Sequence, residues 1–160
     1  MKRLLPLVLL FAVLIAGCDK GTIVLTQPDP ANPIVGDWKQ QSEVVTLFVS
    51  GAQVAQKSIP VNTNNYVEFR STGVLANYTY VIANNYTETD GTFLSSNNNT
   101  TLSMTAQGYT QTFQTNFTNS NNTVTLTGSG VSATGLLTYT INGVTYQADA
   151  ATAVITMTRM

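Results

Sequence analysis

The chain has 160 residues, of which 9% are charged, with eight acidic against seven basic side chains and no histidine. A formal charge of −1 without clustered Lys and Arg excludes a nucleic-acid footprint. The absent histidines exclude Ser-His-Asp and Cys-His catalysis and histidine-ligated zinc. Thr, Asn, Ser and Gln stand where charges would be, and together with Val and Tyr they give the composition of strands exposed to water.

Residues 1–17 read as a signal peptide. Lys2 and Arg3 make a positive start, Leu4 to Ile15 is apolar with one Pro6, and Ala16-Gly17 supplies small residues before a cut. The apolar run is shorter than the roughly 20 residues of a spanning helix. Leu14-Ile15-Ala16-Gly17-Cys18 resembles the lipobox of bacterial lipoproteins. That resemblance implies cleavage before Cys18, acylation of its thiol and attachment to a membrane of the bacterial cell envelope. Each buried CH₂ contributes about 0.8 kcal/mol, so two or three acyl chains anchor stably where one does not. The outer membrane is favoured, although Asp19 is a residue that marks inner-membrane retention in some bacteria.

Residues 18–33 read as a tether, because Pro28, Pro30 and Pro33 forbid a regular ladder and favour extended backbone. Residues 34–160 read as one all-β domain. Trp38 to Gln41 and Val44 to Val49 form one bent strand or two, and 42–65 resists assignment. Tyr66 to Arg70 alternates, with Val67 and Phe69 on one face and Tyr66, Glu68 and Arg70 on the other. Val74 to Ile82, Thr87 to Ser95 and Thr100 to Thr105 follow. The Asp90-Gly91 step is expected to turn, which gives the neighbouring Glu88 and Asp90 no catalytic role. Tyr109 to Thr118 is the cleanest strand, with Tyr109, Gln111, Phe113, Thr115 and Phe117 on one face and only polar residues on the other. Thr123 to Gly128 is a strand, and 128–135 is expected to be a loose loop. Leu136 to Ala148 is a hairpin turning at Asn142-Gly143, and Ala153 to Arg159 is the last strand.

Turns every 8–12 residues favour an up-and-down barrel, with a β-sandwich as the alternative. Val35-Gly36-Asp37-Trp38-Lys39 resembles the Gly-x-Trp opening of lipocalins and of lipocalin-like domains in bacterial lipoproteins. Tyr66 to Gly73, Asp90 to Met104 and Ile155 to Arg159 are similar to later strands of those domains. The resemblance implies an antiparallel lipocalin-like β-barrel of about eight strands, closed at one end by Arg159 packed over Trp38. Eight strands leave an interior that is filled by side chains or holds one small ligand. The candidates to line a site for a small apolar ligand are Phe69, Tyr78, Tyr80, Phe93, Leu102, Met104, Phe113, Phe117, Tyr139 and Tyr146. The competing expectation is a structural or protein-interaction lipoprotein with a filled core. No catalytic residue, cofactor or metal site is expected.

Overall fold

The computed structural model describes residues 29, 31–82, 85–96, 98–106, 109–131 and 137–160. Cys18, with the rest of the expected signal segment and most of the expected tether, lies outside them, as do residues 83–84 and 107–108 between expected strands. Among the described residues eleven strands follow in order: β1 (Gly36–Val49), β2 (Ala52–Ile59), β3 (Tyr66–Phe69), β4 (Val74–Ile82), β5 (Asn85–Ser96), β6 (Thr101–Ala106), β7 (Tyr109–Thr118), β8 (Thr123–Val131), β9 (Leu137–Ile141), β10 (Val144–Ala148) and β11 (Ala150–Arg159).

Eight of them make a closed antiparallel barrel in up-and-down order. The sheet runs β11-β8-β7-β6-β5-β4-β3-β1, and β1 pairs back onto β11 from Trp38↔Arg159 to Phe48↔Ala150. Closure removes the free strand edges that an open sheet would expose. β2 is a ninth strand of this sheet, paired only with the distal part of β1, and β9 with β10 forms a separate hairpin.

Side-chain alternation sets the two faces of the wall. Along β6, Leu102, Met104 and Ala106 are buried, and along β11 Ala151, Ala153, Ile155 and Met157 are buried, with half-buried residues between them. The solvent side carries hydroxyl ladders: Ser103 and Thr112 are 2.9 Å apart across β6 and β7, and Thr105 and Thr110 are 2.7 Å apart. These bonds use the uncharged polar residues that dominate the composition.

Two segments that the sequence leaves open are settled, and two others differ from the expectations. Trp38 to Val49 is a single strand, carried past a bulge between Gln40 and Ser42 that keeps Trp38, Glu43, Val45 and Leu47 on one face. Residues 52–59 form a strand exposed except at Ala55 and Ile59. β5 runs straight through Asp90-Gly91, where a turn was expected. A Cβ at Gly91 would lie 2.5 Å from the Thr105 carbonyl oxygen, so glycine allows a close approach of β5 and β6, not a chain reversal. β8 likewise continues through Gly128 and Gly130 to Val131, where a loop was expected, and the Phe113 ring occupies the space a side chain at Gly128 would need. The Asn142-Gly143 turn has φ of 51° and 79°, the paired positive values of a type I′ turn.

Among the described residues there are two apolar clusters. The first lies inside the barrel: Trp38, Phe69, Leu75, Phe93, Leu102, Met104, Phe113, Leu126, Ile155 and Met157, with Ile34 and Val35 at its lower end. Each such side chain contributes about 1.5–3 kcal/mol on full burial. The second lies beyond the barrel, where β1 and β11 continue upward. There Val45, Leu47, Ala151 and Ala153 pack on Ile141 and Ala148 of the β9–β10 hairpin, with Ala55, Ile59 and Tyr146 at the side. Asp149 fastens the hairpin's return, accepting a 2.7 Å bond from the Ser50 amide while its own amide donates to the Phe48 carbonyl.

Candidate functional site

The residues singled out in the sequence separate into four places. Phe69, Phe93, Leu102, Met104 and Phe113 are all buried in the barrel core, where Phe69 and Phe93 meet edge-on with ring centres 5.1 Å apart. Phe117 is half-buried at the lower end, 6.3 Å from Trp38. Tyr146 packs against the second cluster, outside the barrel core. The side chain of Tyr139 is not among those described.

Tyr78 and Tyr80 do not face inward. Tyr78 pairs with Tyr66 on β3 and Glu88 on β5, and Tyr80 pairs with Tyr86, whereas the alternate positions Val67, Phe69 and Leu75 are the buried core residues. The tyrosines therefore hold the outer face. There they gather into an aromatic patch that the sequence reading did not assemble. Tyr66 and Tyr78 stack at 4.3 Å, and Tyr86 meets Tyr66, Tyr78 and Tyr80 edge-on at 5.3, 6.4 and 5.7 Å. The available signal was the outward placement of Tyr66, Glu68 and Arg70 on one strand face.

An ionic network fixes this patch. Arg70 donates through Nε to Glu68 at 2.8 Å, and through Nη2 to Glu88 at 2.8 Å and to the Tyr78 hydroxyl at 2.6 Å. The Tyr78 hydroxyl in turn donates to Glu68 at 3.0 Å. Burial works against the Arg70 charge, but its bonds to Glu68 and Glu88 outweigh that and hold it charged. Burial, reinforced by the neighbouring carboxylates, pushes the Tyr66 and Tyr78 phenols above their ordinary value and keeps them neutral. Glu88 and Asp90 do share the outer face, yet Glu88 is committed to Arg70 and Asp90 is exposed.

The lower end is built from both termini of the domain. Trp38 is fully buried and its Nε1 donates to the Ile34 carbonyl at 2.7 Å. The Arg159 guanidinium lies 4.3 Å from the Trp38 ring centre and donates to the Val35 carbonyl at 2.9 Å and the Pro33 carbonyl at 2.6 Å. Burial lowers the pKa of Arg159, and the nearby Asp37 opposes that shift.

Beside the tyrosine patch a cleft of about 30 Å³ is lined by Gln40, Asn65, Tyr66, Val67, Asn77, Tyr78 and Thr79. A water needs at least about 10–15 Å³, so the cleft has room for one or two waters, far below the roughly 300–1,000 Å³ of a drug-sized pocket. Two buried oxygens near it lack partners: Oδ1 of Asn77, in its lining, and Oε1 of Glu43, whose Oε2 accepts from Gln40 Nε2 at 3.1 Å. An unpaired buried polar atom costs about 1–3 kcal/mol. Burial raises the Glu43 pKa above its ordinary 4.5, and the Gln40 bond only partly counters this. A raised folded pKa means that the native state holds the proton longer than the unfolded chain does. Glu43's contribution is thus fully present below pH 4.5 and is lost as pH climbs through the folded value. Glu43→Gln is expected to raise stability at pH 7 by about 1 kcal/mol and to flatten the pH dependence, as read by urea unfolding from pH 4 to 8.

Among the described residues no three His, Cys, Asp or Glu side chains are grouped to hold a metal ion. No protein-family model and no curated protein matches this sequence.

Proposed function

We propose that the protein is a lipid-anchored lipoprotein of the bacterial cell envelope, a lipocalin-like barrel held outside the bilayer by acyl chains on Cys18. The observation that carries this reading is the Leu14-Ile15-Ala16-Gly17-Cys18 sequence after a positive, apolar start. The fold is consistent with it. Pro33 to Val35, which follow the expected tether, lie against the Trp38–Arg159 end of the barrel, and the β9–β10 hairpin sits at the opposite end. Cys18→Ser is expected to appear in the soluble fraction of the cell and to incorporate no radiolabelled palmitate. A variant that stays with the membranes and takes up label overturns the proposal.

The barrel acts as a scaffold or binder and performs no catalysis; the sequence lacks the histidines of nucleophilic triads. The mutual burial of Phe69, Phe93, Leu102, Met104 and Phe113 in one cluster supports a filled core over one enclosing a small apolar ligand. Function then resides on the outer surface, as in a structural or interaction lipoprotein. The protein is expected to bind no apolar fluorescent probe stoichiometrically. Saturable one-to-one binding, competed by a fatty acid, would return the apolar-ligand reading to first place.

A further inference from the structure

Among the described residues, β9 and β10 pair only with each other, so no strand ladder ties this hairpin to the barrel. It lies over the far ends of β1 and β11 through one apolar face. Ile141 and Ala148 are buried there with Val45, Leu47, Ala151 and Ala153, and Tyr146 is half-buried at the side. The other face is polar. Thr140, Thr145 and Gln147 are exposed, and the two threonine hydroxyls are 3.3 Å apart across the strands. Val144, beside the Asn142-Gly143 turn, is 53% exposed although it shares the inner face of Tyr146 and Ala148. Among the described side chains, grip near the tip thus comes from Ile141. The fixed point is the base, where the Asp149 carboxylate accepts from the Ser50 amide and the Asp149 amide donates to the Phe48 carbonyl.

We infer that the β9–β10 hairpin is a hinged cover, which lifts as one unit about Asp149 while the eight-stranded ring stays shut. A two-stranded hairpin is marginally stable by itself in water, so its place depends on the face it covers. That face is small. Of the hairpin's described side chains only Ile141 and Ala148 are buried, and Ala148 brings a single methyl group. Each ring strand, by contrast, is laddered to a neighbour on both sides over at least part of its length. Segments with few buried apolar contacts and no ladder to the rest open first. Lifting the cover bares Val45, Leu47, Ala151 and Ala153, an apolar strip at the end of the barrel opposite Trp38 and Arg159. The ladder beneath that strip joins Val45 to Ala153 and Leu47 to Ala151 without using the hairpin, so the ring survives the opening. The fold therefore carries an apolar surface that it shows in the open form and hides in the closed one. The inference goes beyond the envelope reading and does not depend on the lipid.

The test is native-state hydrogen exchange of the ¹⁵N-labelled full chain at urea concentrations below the unfolding transition. Protected amides of β9 and β10 are expected to share one opening constant, about a hundredfold or more above that of the β11 amides from Ile155 to Thr158. Asp149→Ala is expected to enlarge the hairpin's opening about tenfold and to leave β6 and β7 unchanged. Thiol trapping gives a second reading in a Cys18→Ser chain. Val45→Cys, beneath the cover, is expected to react with a maleimide about tenfold or more faster than Val124→Cys, inside the ring. Exchange of the hairpin and β11 at a common rate overturns the inference. Graded fraying outward from Asn142 with no shared constant does so too, as does equal trapping at the two positions. The exchange reading uses the unaltered chain, so the outcome does not hinge on a variant folding.

Discussion

Trp38→Ala is expected to lower the unfolding free energy by about 3–5 kcal/mol, enough to remove much of the stability of a domain this size. The indole is the largest fully buried side chain at the closed end. Its removal leaves a cavity beneath Phe117 and strips the Ile34 carbonyl of its donor. It also takes away the ring under the Arg159 guanidinium, a contact worth about 0.5–2 kcal/mol by itself. Arg159→Lys separates the parts of this arrangement. Lysine keeps the charge but loses the planar fork that reaches Val35 and Pro33 together. It should therefore cost less than Trp38→Ala but more than a surface Lys exchange. Urea unfolding of both single variants and the double variant gives the coupling between the two residues. A Trp38→Ala protein within about 1 kcal/mol of the parent would mean that this end is not the closed, packed floor described above.

Gly91→Val is the second large effect, with an expected loss of about 3 kcal/mol or more. The nearest obstacle to its Cβ is backbone: the Thr105 carbonyl oxygen at 2.5 Å, with the Ala106 Cβ at 3.3 Å. Neither yields by a rotamer change, so β5 and β6 must separate where β5 passes from pairing with β4 to pairing with β6. Gly128→Ala makes an instructive contrast, because the neighbour there is the Phe113 ring, a side chain that can shift at the cost of looser packing. Thermal unfolding should rank the parent first, Gly128→Ala second and Gly91→Val last. An unchanged midpoint for Gly91→Val would show that β5 and β6 are not in close contact there.

The barrel class was legible because period-two alternation is a local signal. β7 shows it best: the face carrying Phe113 and Phe117 turns inward, and the polar face of Thr112 and Gln114 stays wet. Illegible features were those set by non-local contact. Gly91 and Gly128 read as turns because glycine usually punctuates a chain, yet each is in mid-strand to admit a neighbour from the adjacent strand. β2 carries few apolar residues, since it borders β1 outside the closed ring and buries only Ala55 and Ile59 partway. Aromatic character suggests the interior for Tyr78 and Tyr80, which exchanges the two faces of β4. Leu75 fixes the actual phase, and it puts Asn77 and Thr79 on the inward side of the strand and Tyr78 and Tyr80 outside. A tyrosine on a strand is amphipathic, and here its outward hydroxyl meets the Arg70 network, a partner no local pattern announces.

The barrel exists only if β1 and β11 meet to shut the ring. Nuclear Overhauser contacts between backbone protons of these strands measure that directly. The account predicts cross-strand contacts at Gln40–Met157, Glu43–Ile155 and Val45–Ala153, with slow amide exchange along both strands. Absence of those contacts, with rapid exchange on the facing edges of β1 and β11, would contradict a closed barrel and leave an open sheet.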